Sequence, residues 1–167
     1  QFTHPDFLAD VRSMLWETGV EPADVELEIT ESIAMSDLER TVTLLGEIRD
    51  LGIGLSIDDF GTGFSSLSYL KRMPLDKLKL DQSFVRGIPD DAQDCAISRA
   101  VIDLGHQLRL RVVAEGVESE EQLEWLRRHG CDVIQGYLLG RPVLAEAFTG
   151  SFPKTPDRRT QTVTSSS

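Results

Sequence analysis

Five short strand-like runs, the first three alternating apolar and polar residues and all carrying a charged or amide side chain toward the carboxyl end, constrain what this chain can fold into. They are Val25 to Glu31, Leu55 to Asp59, Lys77 to Asp81, Arg111 to Gly116 and Asp132 to Tyr137. In an extended chain successive side chains face opposite ways, so Val25, Leu27 and Ile29 share one face, and Glu26, Glu28 and Thr30 share the other. Stretches of helical period lie between the runs: Leu38, Val42, Leu45 and Ile48; Leu67, Leu70 and Met73, broken at Pro74; Ile97, Val101, Leu104 and Leu108; Leu123 and Leu126. An opening helix carries Phe7, Leu8, Val11 and Leu15, with Pro5 suited to its first turn and Gly19 and Pro22 to its stop. Ser36 with Glu39, and Ser119 with Gln122, have the spacing of capping boxes. Regular β-α alternation predicts an α/β fold with a parallel sheet and right-handed crossovers.

Glu28, Asp58, Lys79, Glu115 and Gln135 all stand toward the carboxyl ends of their runs. Barrel strands and open doubly wound sheets both carry ligands there, but no Gly-rich phosphate loop follows the first strand. The pattern therefore favours a TIM-type (β/α)8 barrel, represented here by about five parallel strands. Adjacent Asp58 and Asp59 repel each other when both are ionised, and a divalent cation relieves that repulsion through hard carboxylate oxygens. A plain Asp-Asp turn with a helix cap is the alternative; the polar endings of the other strands count against it. Gly61 and Gly63 open the following loop to backbone angles closed to other residues, and Ser65 and Ser66 suit a helix start.

At 167 residues, 40% hydrophobic and 27% charged, the chain can bury a core, and residues 1–150 read as one domain. A net charge of −11 argues against a nucleic-acid duplex or an anionic membrane surface as partner. Cys95 and Cys131 have no framework spacing and read as reduced thiols, which points to the cytoplasm. No apolar run reaches membrane-spanning length. Trp16 and Trp125 fall in helices and are expected to pack, and His4 is assigned no chemistry. Residues 151–167 have almost nothing to bury and are expected to be disordered.

The motifs Glu28-Ile29-Thr30-Glu31-Ser32, Asp58-Asp59-Phe60-Gly61-Thr62-Gly63, Lys79-Leu80-Asp81, Ala114-Glu115-Gly116-Val117-Glu118 and Gln135-Gly136-Tyr137 occur in the order of the EAL-domain family, which the chain resembles from Gln1 to about Phe148. Members hydrolyse the bacterial second messenger cyclic di-GMP to the linear dinucleotide pGpG. The resemblance implies a two-metal site for Mg²⁺ or Mn²⁺, with Glu28, Asp58 and Asp59 as ligands and Asp58 as the bridge. It implies Glu115 as a further ligand or general base, Lys79 as the cation facing the attacking water or the phosphate, Glu31 as the support of the Asp-Asp loop, and Glu118 and Gln135 as residues shaping the site. Phe64 stands where many members carry Tyr. The family's Glu-Ala-Leu segment and an Asn-bearing strand are absent from the sequence. The resemblance places them upstream of Gln1 with three further strands, so the chain is expected to be the carboxyl-terminal part of a domain and inactive alone. A five-stranded piece is also expected to expose a sheet edge and part of an apolar barrel interior. An upstream GGDEF or sensory domain is the family's habit, which allows membrane anchoring of the longer protein and leaves a homodimer open. The rival reading is a catalytically silent EAL-like receptor for cyclic di-GMP, or a protein-interaction module.

Overall fold

The computed structural model describes residues 4, 6–61 and 67–144. Pro5, Gly63, Phe64, Ser65, Ser66 and the tail 151–167 lie outside the described residues. Five strands, β1 (Glu26–Thr30), β2 (Gly54–Phe60), β3 (Lys77–Leu80), β4 (Arg111–Ala114) and β5 (Val133–Ile134), form one parallel sheet in chain order. Among the described residues seven α-helices accompany them: α1 (Phe7–Thr18), α2 (Glu31–Ser36), α3 (Leu38–Asp50), α4 (Leu67–Leu70), α5 (Gln82–Val85), α6 (Ala92–Gln107) and α7 (Glu120–Arg128). A 3₁₀ turn, Pro22–Asp24, leads into β1. The α/β class and the partial-barrel strand order follow from the alternation read in the sequence. Among the described residues no helix is long and apolar enough to cross a membrane.

The core lies between the sheet and its helices. Leu55, Ile57, Leu78, Leu80, Val112 and Ala114 are fully buried on the helix side of the sheet, against Leu45 and Ile48 of α3, Ile102 of α6 and Leu126 of α7. Each large aliphatic side chain so buried contributes about 1.5–3 kcal/mol.

The opposite face is polar over its first three strands. Register places Glu26, Glu28, Ser56, Asp58, Lys77, Lys79 and Arg111 on it. Lys77 reaches across β2 to Glu26, and Lys79 reaches across it to Glu28. Below Asp58 the intervening strand presents Gly54 and Ser56 there, small enough to let both lysines pass. Ion pairing fills this face at β1 to β3, while β4 and β5 place Val113, which is buried, and Val133 on it.

Other details depart from the sequence reading. The start of α3 is capped by Asp37, whose carboxylate accepts from the Arg40 N–H at 3.3 Å, while the Ser36 backbone belongs to the preceding helix. The Ser119–Gln122 box does form, on α7. Trp16 is not a packing residue: it is 89% exposed, because α1 turns Val11 inward and leaves Trp16 on the outer side. Trp125 is partly buried against the core and stacks on His129. Helices α2 and α5 are too short to leave a period in the sequence. The last strand is Val133–Ile134 rather than the whole run to Tyr137, although the Gln135 N–H continues its ladder to the Ala114 carbonyl at 2.8 Å.

Candidate active site

Site geometry begins with an irregularity in β2. Ile57 pairs with Leu78 and Phe60 with Leu80, so β2 spends one residue more than β3 over the same span. Such a bulge redirects side chains that would otherwise alternate across the sheet. It falls at Asp58 and Asp59, and Asp59 takes a left-handed φ of 56°. A non-glycine residue there costs on the order of 1 kcal/mol, least for Asp and Asn. As a result both carboxylates turn to the same side, and the Asp59 N–H donates to Asp58 Oδ1 at 3.0 Å.

Oxygens of Asp58, Asp59 and Glu115 lie within 4.8 Å of one another. Lys79, only 4% exposed, projects its ammonium into this group from β3. It is 2.6 Å from Glu115, 2.8 Å from Glu28 and 3.1 Å from Asp58. Burial alone would lower the lysine pKa; hydrogen bonds to Glu115, Glu28 and Asp58 outweigh it and hold the ammonium well above its ordinary range. Glu115 is pushed up, chiefly by burial, with Lys79 opposing and Asp58 and Glu28 adding to the rise. Burial likewise raises Asp59, followed by the charges of Asp58 and Asp81. One cation thus serves a crowd of carboxylates that cannot all ionise cheaply.

The remaining residues singled out in the sequence surround this centre. Glu28 is held by the lysine and lies outside the close carboxylate group. Glu31, buried at the start of α2, accepts from the Gly61 N–H at 3.2 Å and so ties down the loop after Asp59. Gly61 itself has φ 100°, and a Cβ there would touch the Phe84 ring at 3.0 Å. Glu118 and Gln135 are not drawn into the carboxylate group; with Glu115, Gln82 and Tyr137 they line an adjoining recess of about 240 Å³.

Asp81 is the residue whose part the sequence reading missed. It caps α5 by accepting from the Ser83 N–H at 2.9 Å, and its charge adds to the rise of the Asp59 pKa. The available signal was its place two residues after Lys79 at a strand end, where a carboxylate has the same standing as Asp58.

A divalent ion fits the donor set: three carboxylates converge, burial and then their mutual charge raise two of the pKa values, and hard oxygen ligands suit Mg²⁺, Mn²⁺ or Ca²⁺.

Comparison with known proteins agrees with the motif order. Residues 1–142 match the model of the EAL domain. The chain is 47% identical over 151 residues to the bifunctional diguanylate cyclase/cyclic di-GMP phosphodiesterase MucR of Pseudomonas aeruginosa, covering 90% of this chain and 22% of that protein. It superposes on the solved PaMucR phosphodiesterase, a complex with c-di-GMP, with a TM-score of 0.85 at 47% identity, covering 88% of this chain and 60% of that one. Against a manganese and cyclic di-GMP complex of Klebsiella pneumoniae BlrP1 the TM-score is 0.77 at 37% identity, covering 84% of this chain and 36% of that one.

Proposed function

Because the chain belongs to the EAL domain family, we propose that it forms the carboxyl-terminal part of a metal-dependent phosphodiesterase that hydrolyses cyclic di-GMP to linear pGpG. The observation that carries this reading is the Lys79 ammonium set among Glu28, Asp58 and Glu115, beside the bulged Asp59. A cyclic dinucleotide brings two phosphates to a surface that is otherwise acidic. Asp58, Asp59 and Glu115 would hold the divalent ions, with Glu28 added from β1, and Mg²⁺ or Mn²⁺ is the proposed occupant. When bound, those ions supply Lewis acidity and a hydroxide near neutral pH.

The chain's own residues do the rest. Lys79 offers a fixed positive charge to phosphoryl oxygens that gain charge in the transition state. Its carboxylate partners hold it in place from three strand ends, so little reorganisation is needed at the moment of reaction. Glu115, with its raised pKa, is placed to hold or accept a proton beside the lysine. Glu31 fixes the Gly61 backbone, and through it the loop that carries Asp59. Glu118 and Gln135 shape the recess next to Glu115.

The test is a product assay with cyclic di-GMP and Mn²⁺, using a protein in which this chain continues upstream into a Glu-Ala-Leu segment. Linear dinucleotide is the expected product, and its formation should cease when the metal is chelated. A folded protein that binds the nucleotide in Ca²⁺, yet returns no linear product in Mn²⁺, would replace the enzyme with the receptor.

A further inference from the structure

The loop that carries Glu115 is tied down more firmly than a helix cap requires. Its Glu115 N–H donates to the Leu80 carbonyl of β3 at 3.1 Å, and its Val117 N–H to the Gln135 carbonyl at 3.1 Å. The Glu118 and Ser119 N–H groups both donate to Gln122 Oε1, at 2.7 and 3.1 Å. Gln122 is itself buried, and its Nε2 donates to the Val85 carbonyl at 3.2 Å. Val85 ends α5, the helix that starts right after Asp81. On the other side of the loop, Gly116 has φ 68°, and a Cβ there would lie 2.6 Å from the Gln82 Cβ. The loop after β4 is thereby pressed against the helix after β3.

A capping box accounts for only part of this. It needs the Gln122 N–H on Ser119 Oγ, here 3.3 Å, and Gln122 Oε1 on the Ser119 N–H. Neither the Glu118 bond nor the bond to the Val85 carbonyl belongs to it. Those two bonds join the Glu115 loop to the segment that follows Lys79. We infer that Gln122 is a positioning residue: its amide bridges α7, the Glu115 loop and α5, and so sets the Glu115 carboxylate opposite the Lys79 ammonium. The inference rests on the phosphodiesterase reading for its purpose, though not for its geometry.

Two substitutions separate the bridge from the cap. Ser119→Ala breaks the cap and leaves the bridge. Gln122→Glu keeps an acceptor for both loop amides, as capping boxes allow, but removes the donor to the Val85 carbonyl. Mn²⁺ affinity of the purified chain by calorimetry, amide exchange at Glu115 and Val117, and the melting temperature are measured on both. Ser119→Ala is expected to lower the melting temperature while leaving Mn²⁺ affinity within about twofold. Gln122→Glu is expected to weaken Mn²⁺ binding by roughly tenfold, as loss of a group supporting a metal ligand does, and to speed exchange at both amides. In the longer protein it should lower kcat and leave KM unchanged. Wild-type affinity and exchange in Gln122→Glu would overturn the inference, and so would an equal loss of affinity in Ser119→Ala. If the wild-type chain takes up no Mn²⁺, it is the metal assignment that fails. Amide exchange then decides the bridge: faster exchange in Gln122→Glu alone upholds it, and equal exchange in the two variants overturns it.

Discussion

Both ends of the sheet carry carboxylates, but they treat them in opposite ways. At the amino-terminal end, Asp76 accepts from the Leu55 N–H at 2.9 Å and lies 3.8 Å from Arg49. Asp132 accepts from the Val112 N–H at 2.8 Å and pairs with His106 at 2.9 Å. Each acid there ties a strand start to its neighbour. Burial on its own would raise the Asp132 pKa, but its hydrogen bonds from Val112 and His106 hold it below the usual carboxylate range. At the carboxyl-terminal end, Asp58, Glu28 and Glu115 crowd around Lys79, with Asp59 and Asp81 beside them, and Asp59 and Glu115 are raised. The first set stabilises the fold. The second costs stability and is the set proposed to hold the metal and the chemistry, the division expected of barrel strands.

Four changes test that division, in falling order of effect. Asp58→Asn, in the longer protein, should cut turnover by roughly a hundredfold or more while circular dichroism stays native, because shape is kept and a charge of the metal group is lost. Near-normal turnover in a folded variant would remove Asp58 from the metal site.

Lys79→Met should lower unfolding stability in urea by about 3 kcal/mol, since it strands Asp58 and Glu115 beside each other without a cation. Added Mn²⁺ should restore part of the loss by binding only the folded state. A variant as stable as wild type would show that the upper acids are less crowded than their geometry implies.

At the lower end, Asp132→Asn should cost about 1–2 kcal/mol, the worth of charged hydrogen bonds at a half-exposed site. The lowered folded pKa fixes the sign with pH. The contribution of Asp132 is present above the unfolded value, near 3.8, and is lost as pH falls through the folded one. The gap between variant and wild type should therefore close in acid. A gap that widens there would contradict the role given to Asp132.

Asp59→Asn is the smallest change and the most diagnostic, because it should raise stability by about 0.3 kcal/mol, solvent screening much of the like-charge repulsion, at neutral pH in metal-free buffer. Asn tolerates the left-handed φ and removes one like charge. Here the folded pKa is raised, so the native carboxyl costs stability above the unfolded value and ceases to do so once protonated. The gain should fade as pH falls to about 4, and Mn²⁺ should bind the variant more weakly. A destabilised Asp59→Asn at neutral pH would erase the contrast between the two ends.

Alternation and spacing determined the parallel β-α order, the helix-side core and the strand ends at which Glu28, Asp58, Lys79 and Glu115 stand. These follow from the two-residue period of a strand and the 3.6-residue period of a helix, which are local properties of the chain. Period two also puts Asp59 on the face opposite Asp58. Only the bulge against β3 brings both to one side, and a bulge arises from pairing between strands, which leaves no period in either. The ion pairing across the inner face was hidden for a similar reason. Lys77 and Lys79 meet Glu26 and Glu28 only because β2 offers Gly54 and Ser56 between them, a fact of register across three strands. Asp81 and Gln122 read locally as helix caps. Their reach to Asp59 and to the Val85 carbonyl comes from loops at neighbouring strand ends packing on one another, which only the tertiary structure decides.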